Sequence, residues 1–191
     1  MKHCVMKRCV WALTGILACA VAATAQDGGD KLLVRAGAGA GAAFGGLLGG
    51  GVEVEFHRAA LIANFGYWDK PAFEVGARYY FMAPGENLRP HVTATYGPTA
   101  QIEYATLEYD EDTEEFYLGD TKKDLIYGVN LLAGLDHDFG KPGGFMMTYA
   151  LGLAVPGSVP SGVKDDYDAV GEDPPKADVS LTFSLGAKYQ F

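Results

Sequence analysis

The chain has 191 residues and a formal net charge of −9. Its length suits one domain, and so acidic a balance excludes a nucleic-acid partner recognised through a basic face. The three cysteines, Cys4, Cys9 and Cys19, all lie near the start, so nothing downstream can form a disulfide framework, a thiolate nucleophile or a cysteine metal site.

In chain order, Lys2, Lys7 and Arg8 precede an apolar core from Val10 to Ala23 that only Thr14 and Gly15 interrupt. Ala23-Thr24-Ala25 then offers small residues where a signal peptidase reads. Residues 1–25 are therefore expected to be a secretory signal peptide, with cleavage before Gln26, and residues 26–191 the folded domain. A membrane anchor would need about 20 apolar residues, more than this run supplies. Ile16-Leu17-Ala18-Cys19 approaches a lipoprotein motif, but Leu17 sits one place late. Without Lys2, Lys7 and Arg8, the 15 basic side chains fall to 12 against 24 acidic ones, a net charge of −12.

Downstream the dominant signal is period-two alternation, which places successive side chains on opposite faces of a strand. Lys31 to Ala42 sets Leu32, Val34, Ala36, Ala38, Ala40 and Ala42 against Arg35, Gly37, Gly39 and Gly41. Gly45 to Gly50 reads as the first loop. A glycine-rich membrane helix over Ala36–Val52 is the alternative, disfavoured because each helical glycine costs about 1 kcal/mol relative to alanine. Gly51–His57 alternates Val52, Val54 and Phe56 with Glu53, Glu55 and His57. Leu61–Tyr67 and Phe73–Phe81 follow, the latter carrying Glu74, Gly76, Arg78 and Tyr80 on its polar face. His91 to about Glu108 is a fifth strand, with Pro98 at a bulge or rim. Leu125–Leu135 and Phe145–Val155 are the sixth and seventh, with Asp136 on the polar side of the sixth.

Asp178–Phe191 is the clearest strand. Val179, Leu181, Phe183, Leu185, Ala187, Tyr189 and Phe191 form an oily face opposite Asp178, Ser180, Thr182, Ser184, Gly186, Lys188 and Gln190. At ~3.3 Å per residue and a tilt of ~45°, it would climb about 33 Å, enough for the ~25 Å apolar band of a membrane barrel.

Ser184-x-Gly186-x-x-Tyr189-x-Phe191 resembles the C-terminal insertion signal of bacterial outer-membrane β-barrels. With eight alternating strands the chain resembles the small eight-stranded members of that class, the OmpA transmembrane domain and OmpX among them. The resemblance implies an all-β, eight-stranded antiparallel up-and-down transmembrane barrel in the bacterial outer membrane. It implies lipid, lipopolysaccharide and the barrel-assembly machinery as partners, no cofactor, and no further domain after Phe191. Short turns at His57–Ala60, Met82–Arg89 and His137–Gly143 would then be periplasmic, and the long connections Glu108–Lys122 and Pro156–Lys176 external. Phe56, Phe81, Phe139, Phe145, Tyr189 and Phe191 would form one interfacial girdle, and Tyr67, Trp68, Tyr104, Tyr109, Phe116 and Tyr117 the other. A soluble lipocalin-like barrel has the same alternation with its faces reversed.

Inside such a barrel Arg35, Glu53, Glu55, Glu74, Arg78, His91 and Asp136 would converge. Buried charges are costly unless paired, so a salt-bridge network is expected, with Glu74 as the partner of Arg78 on the same strand face. A gated ion path is the sharper reading, and eight strands leave an interior about filled by side chains. A structural or interaction barrel showing acidic loops is thus expected ahead of a porin-like channel. Catalysis has little support: His91-x-Thr93 only faintly resembles the His-x-Ser of a lipid A deacylase. The carboxylates Asp110, Asp112 and Glu114 in one loop and Asp165, Asp166 and Asp168 in another suit at most a weak divalent-ion site, without EF-hand spacing.

Overall fold

The computed structural model describes residues 32–110, 115–139 and 144–191, so the signal-peptide reading and its cleavage site lie outside the described residues. Eight strands form a closed antiparallel barrel in sequence order: β1 (Leu32–Gly41), β2 (Gly46–Phe56), β3 (Ala59–Tyr67), β4 (Pro71–Tyr80), β5 (Leu88–Asp110), β6 (Glu115–Asp138), β7 (Phe145–Pro156) and β8 (Ser180–Gln190). Closure comes from β1 pairing with β8, through Ala38 opposite Ala187 and Arg35 opposite Gln190. The end where β1 starts and β8 finishes is termed the lower end, the other the upper.

Alternation in sequence becomes a division between wall and lumen. On β8, Leu181 is 79% and Phe183 67% exposed, while Ser184 and Lys188 are buried. Leu61, Phe65, Phe73, Leu131 and Leu151 face outward from their strands in the same way, and Arg35, Glu53, Glu55 and Arg78 face in. This is the reverse of a soluble ligand-binding barrel, whose apolar face lines the interior.

Three expected connections differ. Gly46–Gly50 are not loop: they open β2, where Gly49 pairs with Gly39 and Gly50 with Ala38 on one side and with Phe65 on the other. Glycine tolerates this conformation without helical regularity, and only Ala42–Gly45 remains to turn the chain. Second, Glu108–Lys122 is mostly strand. Beyond the barrel wall β5 and β6 continue as a two-stranded ribbon that still pairs Tyr109 with Phe116, and Glu103 bridges Lys123 at 2.7 Å. The β-forming residues Leu107, Tyr109, Phe116 and Leu118 among the acids favour that ladder. Third, the 157–179 connection contains helix α1 (Ser161–Val170), which stops at Gly171 in the left-handed conformation (φ 73°). It docks on the ribbon: Tyr167 Oη accepts a hydrogen bond from the Ala105 N–H at 3.2 Å, covering part of a free strand edge.

The register does slip between Pro98 and Ala100, a bulge that leaves Thr99 without a partner position while Pro98 stays opposite Tyr127. Short turns close the lower end, the tightest at His57–Arg58, where His57 has φ 58°. Phe56, Phe81, Phe139, Phe145, Tyr189 and Phe191 are all more than half exposed around that rim. At the upper rim Tyr67 ends β3 exposed, as expected, and Phe73, Tyr96 and Tyr127 form an aromatic group, with Tyr127 6.0 Å from Phe73 and 6.2 Å from Tyr96. Tyr104, Tyr109, Phe116 and Tyr117 lie instead on the ribbon above it, because the strands run on.

Candidate functional site in the barrel lumen

The lumen is built by inward positions of all eight strands, and its centre is Tyr80 of β4, which has no solvent exposure. Its hydroxyl lies 2.6 Å from Glu53 Oε1 and 2.7 Å from Asp136 Oδ2. One proton serves both, so it is donated to one carboxylate at a time. The Arg89 guanidinium stacks 3.8 Å from the Tyr80 ring centroid, with Arg35 at 5.6 Å and Arg78 at 5.9 Å. Cations over an aromatic face gain from its quadrupole, more so away from water.

Three carboxylates and four cations surround this ring. Glu53 accepts from Arg35 Nη1 at 2.6 Å, Arg78 Nη1 at 2.9 Å and Lys188 Nζ at 3.0 Å. Glu55 accepts from Arg35 at 2.5 Å and from both terminal nitrogens of Arg89 at 2.9 and 2.5 Å, the fork geometry that arginine supplies and lysine cannot. Asp136 accepts from Lys188 at 2.9 Å and more weakly from Arg78 at 3.4 Å, and its other oxygen lies 3.3 Å from His91 Nε2. Arg35 and Glu53 are direct cross-strand partners, and Arg35–Glu55 and His91–Asp136 are diagonal neighbours on adjacent strands; the remaining pairs join non-adjacent strands through the bore, which only a narrow barrel allows.

The structure thus gathers Arg35, Glu53, Glu55, Arg78, His91 and Asp136. Glu74 is apart. Four residues along one strand separate the two Cα atoms by about 13 Å, which only fully extended side chains would bridge. Arg78 turns to Glu53 and Asp136 instead, and Glu74 is held by the amides of Asn64 (3.1 Å) and Asn130 (3.5 Å). Tyr80, Arg89, Lys188, Asn64 and Asn130 are the residues that sequence reasoning left out of the cluster. Tyr80 and Lys188 already stood on polar faces of their strands. Arg89 was hidden inside an expected turn, although Arg89, His91, Thr93 and Thr95 continue one alternation.

A second layer lies above this cluster. The turn Ala42–Phe44, one 3-10 turn, bends into the lumen and is wholly buried. Ser184 Oγ accepts the Ala43 N–H at 2.7 Å, and Asn64 Nδ2 donates to the Ala43 carbonyl at 2.9 Å. Phe44 packs with Leu132 and Ala150 on strands across the bore. Its ring lies so close to Gly186 that a Cβ there would collide with it. Two residues of the expected insertion signal, Ser184 and Gly186, therefore line the lumen against this turn. The other two, Tyr189 and Phe191, are on the outer wall, edge to face at 5.2 Å.

Little space remains. A cavity of about 10 Å³ separates the layers, bordered by Phe44, Arg35, Arg78 and Lys188, and another of about 10 Å³ lies below, near Arg89 and Gln190. Each is about one water in size. His91 Nδ1 is 3.2 Å from Thr93 Oγ1, but both are buried in the lumen and that hydroxyl also accepts from Arg78 Nε at 2.9 Å, so the pair faces no lipid substrate. Asp165, Asp166 and Asp168 sit on α1, Asp110 ends β5, and Asp112 and Glu114 lie outside the described residues. Among the described residues no three histidine, cysteine or acidic side chains come together as a metal site.

No family model matches the chain, and no curated protein sequence matches it. Its structure is similar to the crystal structure of the N-terminal β-barrel domain of Pseudomonas aeruginosa OprF, at 17% identity and a TM-score of 0.53. The match covers 85% of this chain and 100% of that one. At that identity the likeness concerns the fold.

Proposed function

We propose that this chain is a bacterial outer-membrane barrel with a structural and interaction role, showing an acidic ribbon and helix to the outside. One observation carries the reading: an apolar wall encloses a polar, filled lumen. Leu61, Phe65, Leu151, Leu181 and Phe183, each at least 59% exposed, belong to a belt of apolar side chains around the barrel. Soluble monomers rarely expose contiguous apolar patches above a few hundred Å². In lipid the same belt is solvated, and a closed barrel leaves no strand edge unpaired within the bilayer. The filled bore supports this role over a porin-like channel, since conduction would require displacing buried ion pairs.

Lipid and lipopolysaccharide are then the partners of the wall, and Tyr189 and Phe191 serve the assembly machinery as an outward aromatic signal. Two results are expected on expression with the whole chain. The protein is recovered in the outer-membrane fraction with heat-modifiable gel mobility. Phe191→Asp lowers that folded fraction while export continues. Soluble periplasmic recovery of the unaltered protein would remove the membrane reading, and normal assembly of Phe191→Asp would remove the signal.

A further inference from the structure

We propose that the lumen is closed twice in series: the Ala42–Phe44 turn is a hinged plug above the Tyr80-centred ion cluster, and a continuous water path requires release of both. This rests on the outer-membrane reading of the wall.

The direction of the turn is the first ground. A connection between β1 and β2 could project upward into solvent, yet this one folds into the bore and buries Phe44 to 3% exposure. Its two flanks are Gly41 at φ 97° and Gly45 at φ 73°, conformations that side-chain-bearing residues rarely adopt. At Gly41 a Cβ would also strike the Phe183 carbonyl. The turn is thus bracketed by two glycines whose backbone no side chain restricts, with three small or apolar residues between them.

The second ground is how it is fastened. Ser184 of β8 binds the Ala43 N–H and Asn64 of β3 binds the Ala43 carbonyl, so a single peptide-bearing residue is latched from both sides. These are two neutral hydrogen bonds. The ring meets Leu132 and Ala150 on the far side and spans the bore.

The third ground is independence. The plug excludes water by packing, the lower layer by ion pairing around Tyr80, and no hydrogen bond or ion pair joins Phe44 or its neighbours to Arg35, Arg78, Lys188, Glu53 or Asp136. Both layers border the cavity of about 10 Å³. Loss of either layer leaves the other standing.

The test is conductance of the purified, refolded protein in planar bilayers, comparing the unaltered chain, Phe44→Ala, Tyr80→Ala and the double variant. All are expected to be closed except the double variant, which conducts steadily. Conduction by either single variant overturns the series arrangement, and so does a double variant that inserts and stays closed. Conduction by the unaltered protein would instead contradict the sealed barrel of the proposed function. A second readout does not need the double variant to fold. Ala150→Cys, the sole cysteine after residue 25, is probed from outside with a membrane-impermeant thiol reagent. Phe44→Ala should speed its modification by about tenfold or more, because burial no longer limits access. An unchanged rate would show that Phe44 shields nothing.

Discussion

Replacing Arg78 by methionine is expected to lower stability in lipid vesicles by about 3 kcal/mol, read as a lower urea midpoint at unchanged slope. Methionine keeps most of the volume and removes the charge. What it leaves behind decides the magnitude. Glu53 Oε2 and Asp136 Oδ2, both buried, would keep Lys188 as the one cation they share. Breaking one side of a buried ion pair typically costs 3–5 kcal/mol, and the remaining lysine keeps the value at about the low end. A double-mutant cycle identifies the partner. Arg78→Met with Glu53→Gln should couple by about 1–2 kcal/mol, and Arg78→Met with Glu74→Gln by less than about 0.5. Absent coupling to Glu53 would contradict the cluster. Strong coupling to Glu74 would restore the same-strand pair that sequence suggests.

The second large effect is expected on the outer wall. Leu131 lies between Ala94 on β5 and Leu153 on β7, with about half its surface exposed. Leu131→Arg should destabilise the vesicle-embedded barrel by about 2–4 kcal/mol, the cost of a cation near the bilayer midplane. In water the same exposed substitution would be nearly neutral, within about 0.5 kcal/mol. A neutral result in vesicles would mean that Leu131 does not face lipid.

The barrel was legible because alternation runs through strands such as β3, β4 and β7, and the sequence of β8 carries it without a break from Ser180 to Gln190. Alternation fixes which residues share a face but not which face is inside; burial of Arg35, Glu55 and Tyr80 answers that. The ion pairs were legible as a set and not as partners. Glu74 and Arg78 are neighbours in sequence, while Arg78 and Asp136 are 58 residues apart and meet only because the sheet closes. The plug left the faintest trace. Phe44 is one aromatic residue in a glycine-rich run, and nothing local says that such a turn folds inward. What places it there is room, made by Gly186 on a strand 142 positions away and by latches on β3 and β8. Likewise, a loop dense in acids hides the pairing of β5 with β6, which depends on register across the ribbon.

The most direct test of the whole account is where the apolar face points. Single cysteines at Tyr149, Leu151 and Leu153 on β7 and at Leu181, Phe183 and Leu185 on β8 would carry nitroxide labels in the refolded, vesicle-embedded protein. All six positions are outward and exposed, so a label is accommodated without disturbing the lumen. Collision with oxygen, which concentrates in lipid, should dominate at every one and peak at mid-strand, while collision with a water-soluble nickel chelate stays low. Nickel-chelate collisions that match oxygen at Leu151 and Phe183 would place this face in water and contradict a membrane-embedded wall.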